Sequence, residues 1–101
     1  MYVVIRKFNK MRELDEVARR AEAGVGPLLR EAPGFKAYYV CDGGHGVGFS
    51  VTVFESRAAA ATEASGKALI WIRENLGDLY EGQPEVTSGD VLVYVTKPRP
   101  V

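Results

Sequence analysis

The sequence predicts an α+β fold of the ferredoxin-like kind, with a four-stranded antiparallel sheet that carries two helices on one face in the order βαββαβ. Three observations predict it: four short segments rich in β-branched and aromatic residues, two stretches with a helical apolar period, and a glycine-rich turn between the second and third strands. At 101 residues the chain has room for one hydrophobic core but not for two. One domain is therefore expected over residues 1–97, followed by a flexible or partner-contacting tail at 98–101.

The first strand is predicted at Tyr2–Phe8, because β-branched and aromatic side chains pack well on a pleated surface. Asn9 is placed to cap the helix that follows with its side-chain oxygen. Gly24, Gly26 and Pro27 interrupt this helix, and proline lacks the amide donor, so a kink or two abutting helical pieces are expected. The apolar stripe of the helix consists of Leu14, Val17, Ala18, Ala21, Val25, Leu28 and Leu29.

The second half of the chain begins where Ala32-Pro33-Gly34 ends the first helix. Strands at Phe35–Cys41 and Val47–Phe54 flank a loop and predict a β-hairpin. Ser56 can cap a second helix. The last strand is predicted at Val91–Val95, and a proline-stiffened tail follows it. The apolar positions of the second helix are Ala61, Ala64, Ala68, Leu69, Ile72, Leu76 and Leu79.

A sheet of this topology has one face that the helices leave bare, since right-handed crossovers place both helices on the same side. A wet face should alternate apolar and polar residues, but Tyr2–Ile5 and Val91–Val95 are apolar on both faces. The bare face would present a patch on the order of 400 Å². We therefore expect a homodimer formed face to face through the sheet, because one patch then covers its own copy. The alternative is a monomer with a mildly hydrophobic face.

Charge and composition exclude several classes of partner. Thirteen basic and thirteen acidic side chains cancel, so no net field steers the chain toward nucleic acid or anionic lipid. No run approaches the ~18 apolar residues of a membrane span, and no secretory signal is recognisable, so we expect no membrane association and a cytoplasmic location. Cys41 is the only cysteine and is interpreted as a small buried hydrophobe. No metal-ligand spacing occurs, and no cofactor is expected.

A few side chains are candidates for a binding site. Trp71 lies one position out of phase with the apolar stripe, so it either lines a cleft or packs at the edge of the core with its indole N–H bonded to a neighbour. Tyr38 and Tyr39 are adjacent and point to opposite faces, so at most one is expected to reach a pocket. Ser50 and Thr52 share one face of the third strand, where small side chains favour a cavity.

Other polar features have simpler interpretations. His45 has a pKa suited to acid–base work, but a hairpin tip predicts an exposed side chain. The glycine-rich stretch Gly43–Gly48 is not a phosphate loop, because no helix begins after it. Arg6 and Lys7 could meet an anionic substrate, and the alternative is that they are solvated charges at the sheet edge. No paired carboxylates and no nucleophile with an adjacent base are evident.

Three segments together resemble a known family. They are Ala32-Pro33-Gly34-Phe35, Val53-Phe54-Glu55-Ser56, and the helical stretch Ala68–Leu76 with Trp71 at its centre. They resemble the antibiotic biosynthesis monooxygenase domain of the dimeric α+β barrel superfamily, and the likeness spans residues 2–96. The resemblance implies the ferredoxin-like fold and a barrel made by two chains.

The resemblance also implies a site. Members include cofactor-free oxygenases of polyphenolic substrates, heme-degrading enzymes and quinol oxygenases. In the aromatic oxygenases a helix-two tryptophan near the substrate follows an asparagine by one turn, and Trp71 matches while Lys67 stands at the asparagine position. Heme-degrading members pair a first-strand asparagine, which Asn9 matches loosely, with a histidine that is absent after Trp71. The implied catalytic residue is Trp71, and the implied substrate-binding residues are Trp71, Lys67, Tyr38, Ser50, Thr52 and Asn9.

Two function hypotheses follow. The first is a cytoplasmic dimer that binds an aromatic, phenolic or quinone-like molecule and oxidises it without metal or flavin. The second is a non-enzymatic small-molecule-binding or interaction module on the same dimeric barrel, favoured by Lys67 and by the lack of a compact polar constellation.

Overall fold

A computed structural model describes residues 1–98, with the backbone alone for residues 63–65. No helix in this part of the chain is long and apolar enough to cross a membrane. The elements in chain order are β1 (Tyr2–Phe8), β2 (Lys10–Met11), α1 (Leu14–Arg30), β3 (Phe35–Gly44), β4 (Val47–Phe54), α2 (Arg57–Ala60), α3 (Glu63–Leu76), β5 (Tyr80–Glu81) and β6 (Glu85–Asp90).

The four long strands form one antiparallel sheet in the order β3-β4-β1-β6, which confirms the predicted α+β fold. The short strands β2 and β5 pair separately. Every second residue of β4 is buried, as expected for a strand with helices on one side only. The core lies between the sheet and the helices, and its most deeply buried large side chains are Phe54, Leu29 and Val25.

The hairpin between β3 and β4 is tighter than predicted. His45 and Gly46 have φ values of 53° and 78°, as in a two-residue type I′ turn, whose twist matches that of the flanking strands. Gly44 pairs with Val47 directly, so the predicted loop at 42–46 is wrong for its first three residues. The Asp42 carboxylate accepts a hydrogen bond from the Gly44 amide at 2.8 Å and stabilises the irregularity there. His45 is exposed at the tip, as predicted.

Helix α1 differs from the prediction at its N-terminus and in its continuity through Pro27. Asn9 does not cap it, because β2 intervenes and Glu13 occupies the N-cap position. The helix is one element that contains Pro27, so of the two predicted alternatives the two abutting pieces are wrong and the kink stays a prediction. Val25 and Leu29 lie on either side of Pro27, and each is only 1% exposed. Their burial holds both sides of the proline in helical register and offsets the missing backbone hydrogen bond.

The second predicted helix is two helices. Ser56 caps the first of them, α2, by accepting a hydrogen bond from the Ala59 amide at 3.1 Å, as predicted. The helix breaks after α2 because Thr62 donates two hydrogen bonds to the Ala59 carbonyl. One comes from its Oγ1 at 2.8 Å and the other from its amide at 3.2 Å. A continuous helix would need that carbonyl for the amide four residues later. Thr62 instead becomes the N-cap position of α3.

The predicted last strand at Val91–Val95 is wrong, because the strand that pairs with β1 is β6 at Glu85–Asp90. Its register runs from Lys7 opposite Glu85 to Tyr2 opposite Asp90, so it pairs with all of β1 except Phe8. Just beyond this register, the Val91 amide donates a backbone hydrogen bond to the Met1 carbonyl at 2.9 Å. The segment Val91–Val95, which we call the C-terminal arm, runs on past the sheet. Of the tail predicted at 98–101, residues 99–101 lie outside the described residues.

Helices α1 and α3 meet at Gly24, where the indole of Trp71 lies against the helix backbone. A methyl group built at Gly24 would stand 2.0 Å from Cζ2 of Trp71 and 2.6 Å from its Nε1. At Gly26, two residues along the same helix, nothing lies within 4 Å of such a methyl group. Glycine is therefore required for the close approach of the two helices at one position and not at the other.

This difference makes the two glycines a matched pair for mutation. Gly26→Ala should change the free energy of unfolding by less than about 1 kcal/mol, because the better helix propensity of alanine is opposed by the contact of its Cβ with the ring of Pro27. Gly24→Ala should lower it by about 1–3 kcal/mol, because the indole must be displaced. Urea unfolding of both variants measures the two changes. Equal stability of the variants would show that Trp71 does not pack on this helix.

Candidate functional site

Three polar side chains are buried on the helix-covered face of the sheet. Arg6, Ser50 and Thr52 are 9%, 6% and 2% exposed. Arg6 is the register partner of Ser50, and Thr52 is the partner of Tyr38, which is half-buried on the neighbouring strand. Ser50 and Thr52 share one face of the strand as the sequence predicted, and the register adds Tyr38 and Arg6 beside them. We call these four residues the inner polar cluster.

The sequence analysis left Arg6 open between contact with an anionic substrate and a solvated charge at the sheet edge, and its burial is incompatible with the second alternative. The sequence of β1 nevertheless contains a signal for this burial. Val4 and Phe8 lie two residues before and two residues after Arg6, so all three side chains point to the same face of the sheet, and Val4 and Phe8 belong to the core. A charged residue between two core positions of a central strand has to point inward. Lys7, one residue later, points to the opposite face and is exposed.

A cavity of about 20 Å³ lies between the sheet and the helices, and Tyr38, Ser50 and Ile72 are among its mostly apolar walls. This is room for about one water molecule. Gly48 adds no space, because a methyl group there would stand 2.6 Å from Sδ of Met11 and 2.7 Å from Cδ2 of Leu14.

A larger cleft of about 540 Å³ lies between helix α1 and the free edge of β3. We call it the edge cleft. Its helix wall includes Glu22 and Arg30, and its strand wall includes Phe35, Tyr38 and Tyr39. The expectation that at most one of the two adjacent tyrosines reaches a pocket is wrong, because the cleft follows the strand edge and touches both faces. Tyr38 lines both this cleft and the small cavity, so its side chain forms part of the wall between them.

Burial controls the charges of the inner polar cluster. Burial lowers the pKa of Arg6, and the nearby Tyr38 phenol partly reverses that shift. Burial also raises the pKa of Tyr38, and the positive charge of Arg6 partly lowers it. At neutral pH the cluster therefore holds a guanidinium cation and a neutral phenol. None of the ion pairs found among the described residues includes Arg6, and Oγ of Ser50 is buried without a hydrogen-bond partner there.

The other predicted site residues lie apart from this cluster. Trp71 is half-buried against Gly24, and its neighbour Ile72 lines the small cavity instead. Lys67 is exposed on α3. Asn9 is exposed after β1 and shares a shallow, open pocket with His45. A role for Trp71, Lys67 or Asn9 in substrate binding stays a prediction. Among the described residues no group of three or more His, Cys, Asp or Glu side chains could hold a metal ion.

The opposite face of the sheet is apolar across three of its four strands. By strand alternation and register it carries half-buried side chains from β1, β4 and β3, with Tyr39 the most exposed of them at 57%. Cys41 lies on this face and is half-buried rather than fully buried. Hereafter this surface is the bare face, and its apolar residues are Val3, Ile5, Ala37, Tyr39, Cys41, Val47, Phe49, Val51 and Val53.

Comparison with known proteins shows what fold this is. No protein-family model matches the sequence, and no curated protein matches it. Several solved structures superpose on nearly the whole chain. One is a monooxygenase from the gene ActVA-Orf6 of Streptomyces coelicolor in complex with Nanaomycin D, with a TM-score of 0.76 and 19% identity over 96% of this chain and 92% of the other.

Two further structures agree with it. A protein of unknown function from Nitrosomonas europaea, NE2512, has a TM-score of 0.76 and 14% identity over 96% of this chain and 94% of its own. An antibiotic biosynthesis monooxygenase has a TM-score of 0.62 and 20% identity over 92% of this chain and 100% of its own. At these identities the likeness shows the fold, and it confirms the fold that the resemblance implied. It does not carry a substrate or a reaction with it.

Proposed function

We propose that this chain is a cytoplasmic, dimeric monooxygenase of the antibiotic biosynthesis type, which oxidises an aromatic, phenolic or quinone-like molecule without metal or flavin. The observation that carries the proposal is the edge cleft, whose aromatic strand wall leads through Tyr38 to the buried inner polar cluster. Structures of the same fold include monooxygenases, one of them in complex with Nanaomycin D.

The edge cleft suits a flat aromatic ligand. Its volume falls in the range of about 300–1,000 Å³ that is typical of small-molecule sites. Phe35, Tyr38 and Tyr39 offer ring faces and edges for stacking. The phenol of Tyr38 can donate a hydrogen bond that fixes the orientation of the ligand.

The reaction would draw its electrons from the substrate. When a CH₂ group between two electron-rich rings loses a proton, the resonance-stabilised anion can pass electrons to O₂ and form a carbon-bound peroxide. Loss of water then leaves a carbonyl group, so that R₂CH₂ + O₂ gives R₂C=O + H₂O. One oxygen atom enters the product and the other leaves as water, and no external reductant is needed. The protein has to hold the substrate, favour its anion and exclude solvent.

Oxygen uptake tests the enzymatic proposal. The wild-type chain should consume oxygen with at least one member of a panel of electron-rich phenols, anthrones and quinols. Tyr38→Phe should lower kcat/KM about five- to tenfold, which corresponds to the loss of one hydrogen bond of about 1–1.5 kcal/mol.

Tyr2→Phe is the matched control for Tyr38→Phe, because it removes a hydroxyl that bonds Ser88 at an exposed position. It should leave the rate unchanged. Absence of oxygen uptake across the whole panel would contradict the enzymatic proposal.

A second candidate function is a non-enzymatic binding module on the same fold. The packing of Trp71 on Gly24, away from both the cavity and the edge cleft, favours it. The exposed position of Lys67 where the aromatic oxygenases have asparagine points the same way. Tight binding of an aromatic panel member without oxygen uptake would select this function.

The dimer is the second part of the proposal, and the bare face supports it. No element of the described chain covers this surface, and the helices all lie on the other side of the sheet. The C-terminal arm adds more unburied apolar surface, since Leu92, Val93, Tyr94 and Val95 are 92%, 79%, 67% and 86% exposed. Surfaces of this kind are typical of protein interfaces, and a second copy supplies a matching surface.

Two isoleucines provide a matched test of the interface. Ile5 is half-buried in the middle of the bare face, and Ile70 is 54% exposed on α3 in the helix layer. Ile5→Lys should weaken dimerisation at least a hundredfold, because an unpaired charge would be buried between the sheets. Ile70→Lys should leave the dissociation constant unchanged. Light scattering over a dilution series measures both, and unchanged association of Ile5→Lys would contradict the sheet-to-sheet interface.

A further inference from the structure

We infer that the C-terminal arm of one copy pairs with the free edge of β3 in a second copy and closes the edge cleft there. In this arrangement Leu92 and Tyr94 form the outer wall of the cleft, so each ligand site is incomplete without the partner copy. The inference rests on the dimer and the cleft of the proposed function, and it does not require the oxidation step.

The first argument is the exposure of the arm. Four consecutive large apolar side chains are exposed in it, and this is the longest such run in the described chain: Leu92, Val93, Tyr94 and Val95. Aliphatic β-branched and aromatic residues favour an extended strand, but in the single chain the arm follows β6 without a strand of its own beside it. A segment of this composition is stabilised when it is added to the edge of a sheet.

The second argument is the free edge of β3. This strand is ten residues long and stands at one end of the sheet, so no strand of the described chain pairs with its outer backbone groups. Tyr39 and Val40 are 57% and 38% exposed and point to opposite faces of the sheet. The edge therefore lacks cover on both faces. An added strand that is apolar on both faces would cover both.

The arm cannot reach this edge within its own chain. It leaves the sheet from β6, at the opposite end of the strand order from β3. Four strand spacings of ~4.8 Å separate β6 from the position outside β3, and five extended residues span only about 17 Å. A second copy removes this difficulty. A two-fold rotation that lays the bare faces together can set the β6 edge of each copy beside the β3 edge of the other.

Strand alternation assigns the two sides of the arm. Asp90 is the register partner of Tyr2, whose side chain packs against the core, so both point to the helix-covered side. Leu92 and Tyr94 share this side because each lies two residues further along. Since the bare faces of both copies point inward, a strand that passes from one sheet to the other keeps the same side outward. The inward side of the arm carries Val91, Val93 and Val95.

This assignment matches the side chains to the space. All residues that line the edge cleft belong to α1 or to β3, so the cleft of about 540 Å³ has two walls and an open side. The two largest side chains of the arm, Leu92 and Tyr94, face that open side. The smaller valines continue the bare face, where β-branched side chains already prevail on β1 and β4.

The area involved suits a stable dimer. Burial of one apolar side chain removes roughly 60–120 Å² from water, so the exposed side chains of two arms remove on the order of 500–1,000 Å². The surfaces that the arms cover lose a comparable area. The total overlaps the range of about 1,200–2,000 Å² that specific, stable interfaces bury.

Cross-linking between two single-cysteine variants tests the inference in the full chain. Both variants carry Cys41→Ala, which removes the only native cysteine. One also carries Tyr94→Cys in the arm, and the other carries Glu22→Cys on the helix wall of the edge cleft. The two are co-expressed and treated with a short bis-maleimide. A product that contains one of each chain joins two copies by necessity, and mass spectrometry identifies it.

Two matched controls use the same Glu22→Cys partner. Val95→Cys places the thiol on the inward side of the arm, and Arg73→Cys places it at an exposed position of α3. Tyr94→Cys should give at least about fivefold more mixed product than either control, because a thiol held across the cleft reacts at a high effective concentration. Equal yields from Tyr94→Cys and Arg73→Cys would overturn the arm exchange. Equal yields from Tyr94→Cys and Val95→Cys would overturn the closure of the cleft.

A double variant with Leu92→Ser and Tyr94→Ser gives an independent measurement. Both side chains are exposed in the single chain, so the fold should be retained by circular dichroism. The dissociation constant of the dimer should rise at least about a hundredfold, because the two arms together lose four large apolar contacts. Ile70→Ser, at an exposed position of α3, should leave it unchanged. An unchanged dissociation constant of the double variant in light scattering would contradict the inference.

Failure of this inference is distinguishable from failure of the proposed function. A dimer that forms without the Tyr94→Cys cross-link contradicts only the arm exchange. The cross-link without oxygen uptake contradicts only the oxidation. A single-chain mass in sedimentation contradicts the dimer itself and the arm exchange with it.

Discussion

The structure depends on a sheet with two apolar faces and helices for only one of them. Strand alternation sends Val4 and Phe8 into the core and Val3 and Ile5 to the other side, and neither set is compatible with water. Helices α1 and α3 cover the first set. The second set has no cover within the described chain, which is the reason for proposing a second copy of the chain as its cover.

The order of the elements could be predicted from sequence because it follows local patterns. Ser56 as a helix cap and the strands that flank the glycine-rich turn are signals within a few residues. The last strand could not be predicted in this way. Val91–Val95 has the stronger β propensity, but Glu85–Asp90 is the segment that reaches β1 first after the turn at Gly82, whose φ is 79°. Pairing with β1 outweighed propensity, as tertiary context often does in strands.

The candidate site was predictable to the extent that it follows strand alternation. Ser50 and Thr52 were placed on one face of their strand by the two-residue period, and the strand register adds Tyr38 opposite Thr52. Arg6 follows the same rule, but its burial was not predicted because its charge was given more weight than its position. Trp71 is a different case, since its contact with Gly24 joins two helices that are distant in sequence and leaves no local signal. The packing between elements decided the role of the tryptophan.

The two faces of the sheet have different proposed uses. The helix-covered face holds buried polar side chains, and the bare face and the C-terminal arm hold the apolar surface proposed for a second copy. The account as a whole stands on that second copy. Sedimentation equilibrium of the wild-type chain at micromolar concentration tests it most directly. We predict a single species with twice the mass of one chain. A stable species with the mass of one chain would contradict the dimer and the barrel that depends on it.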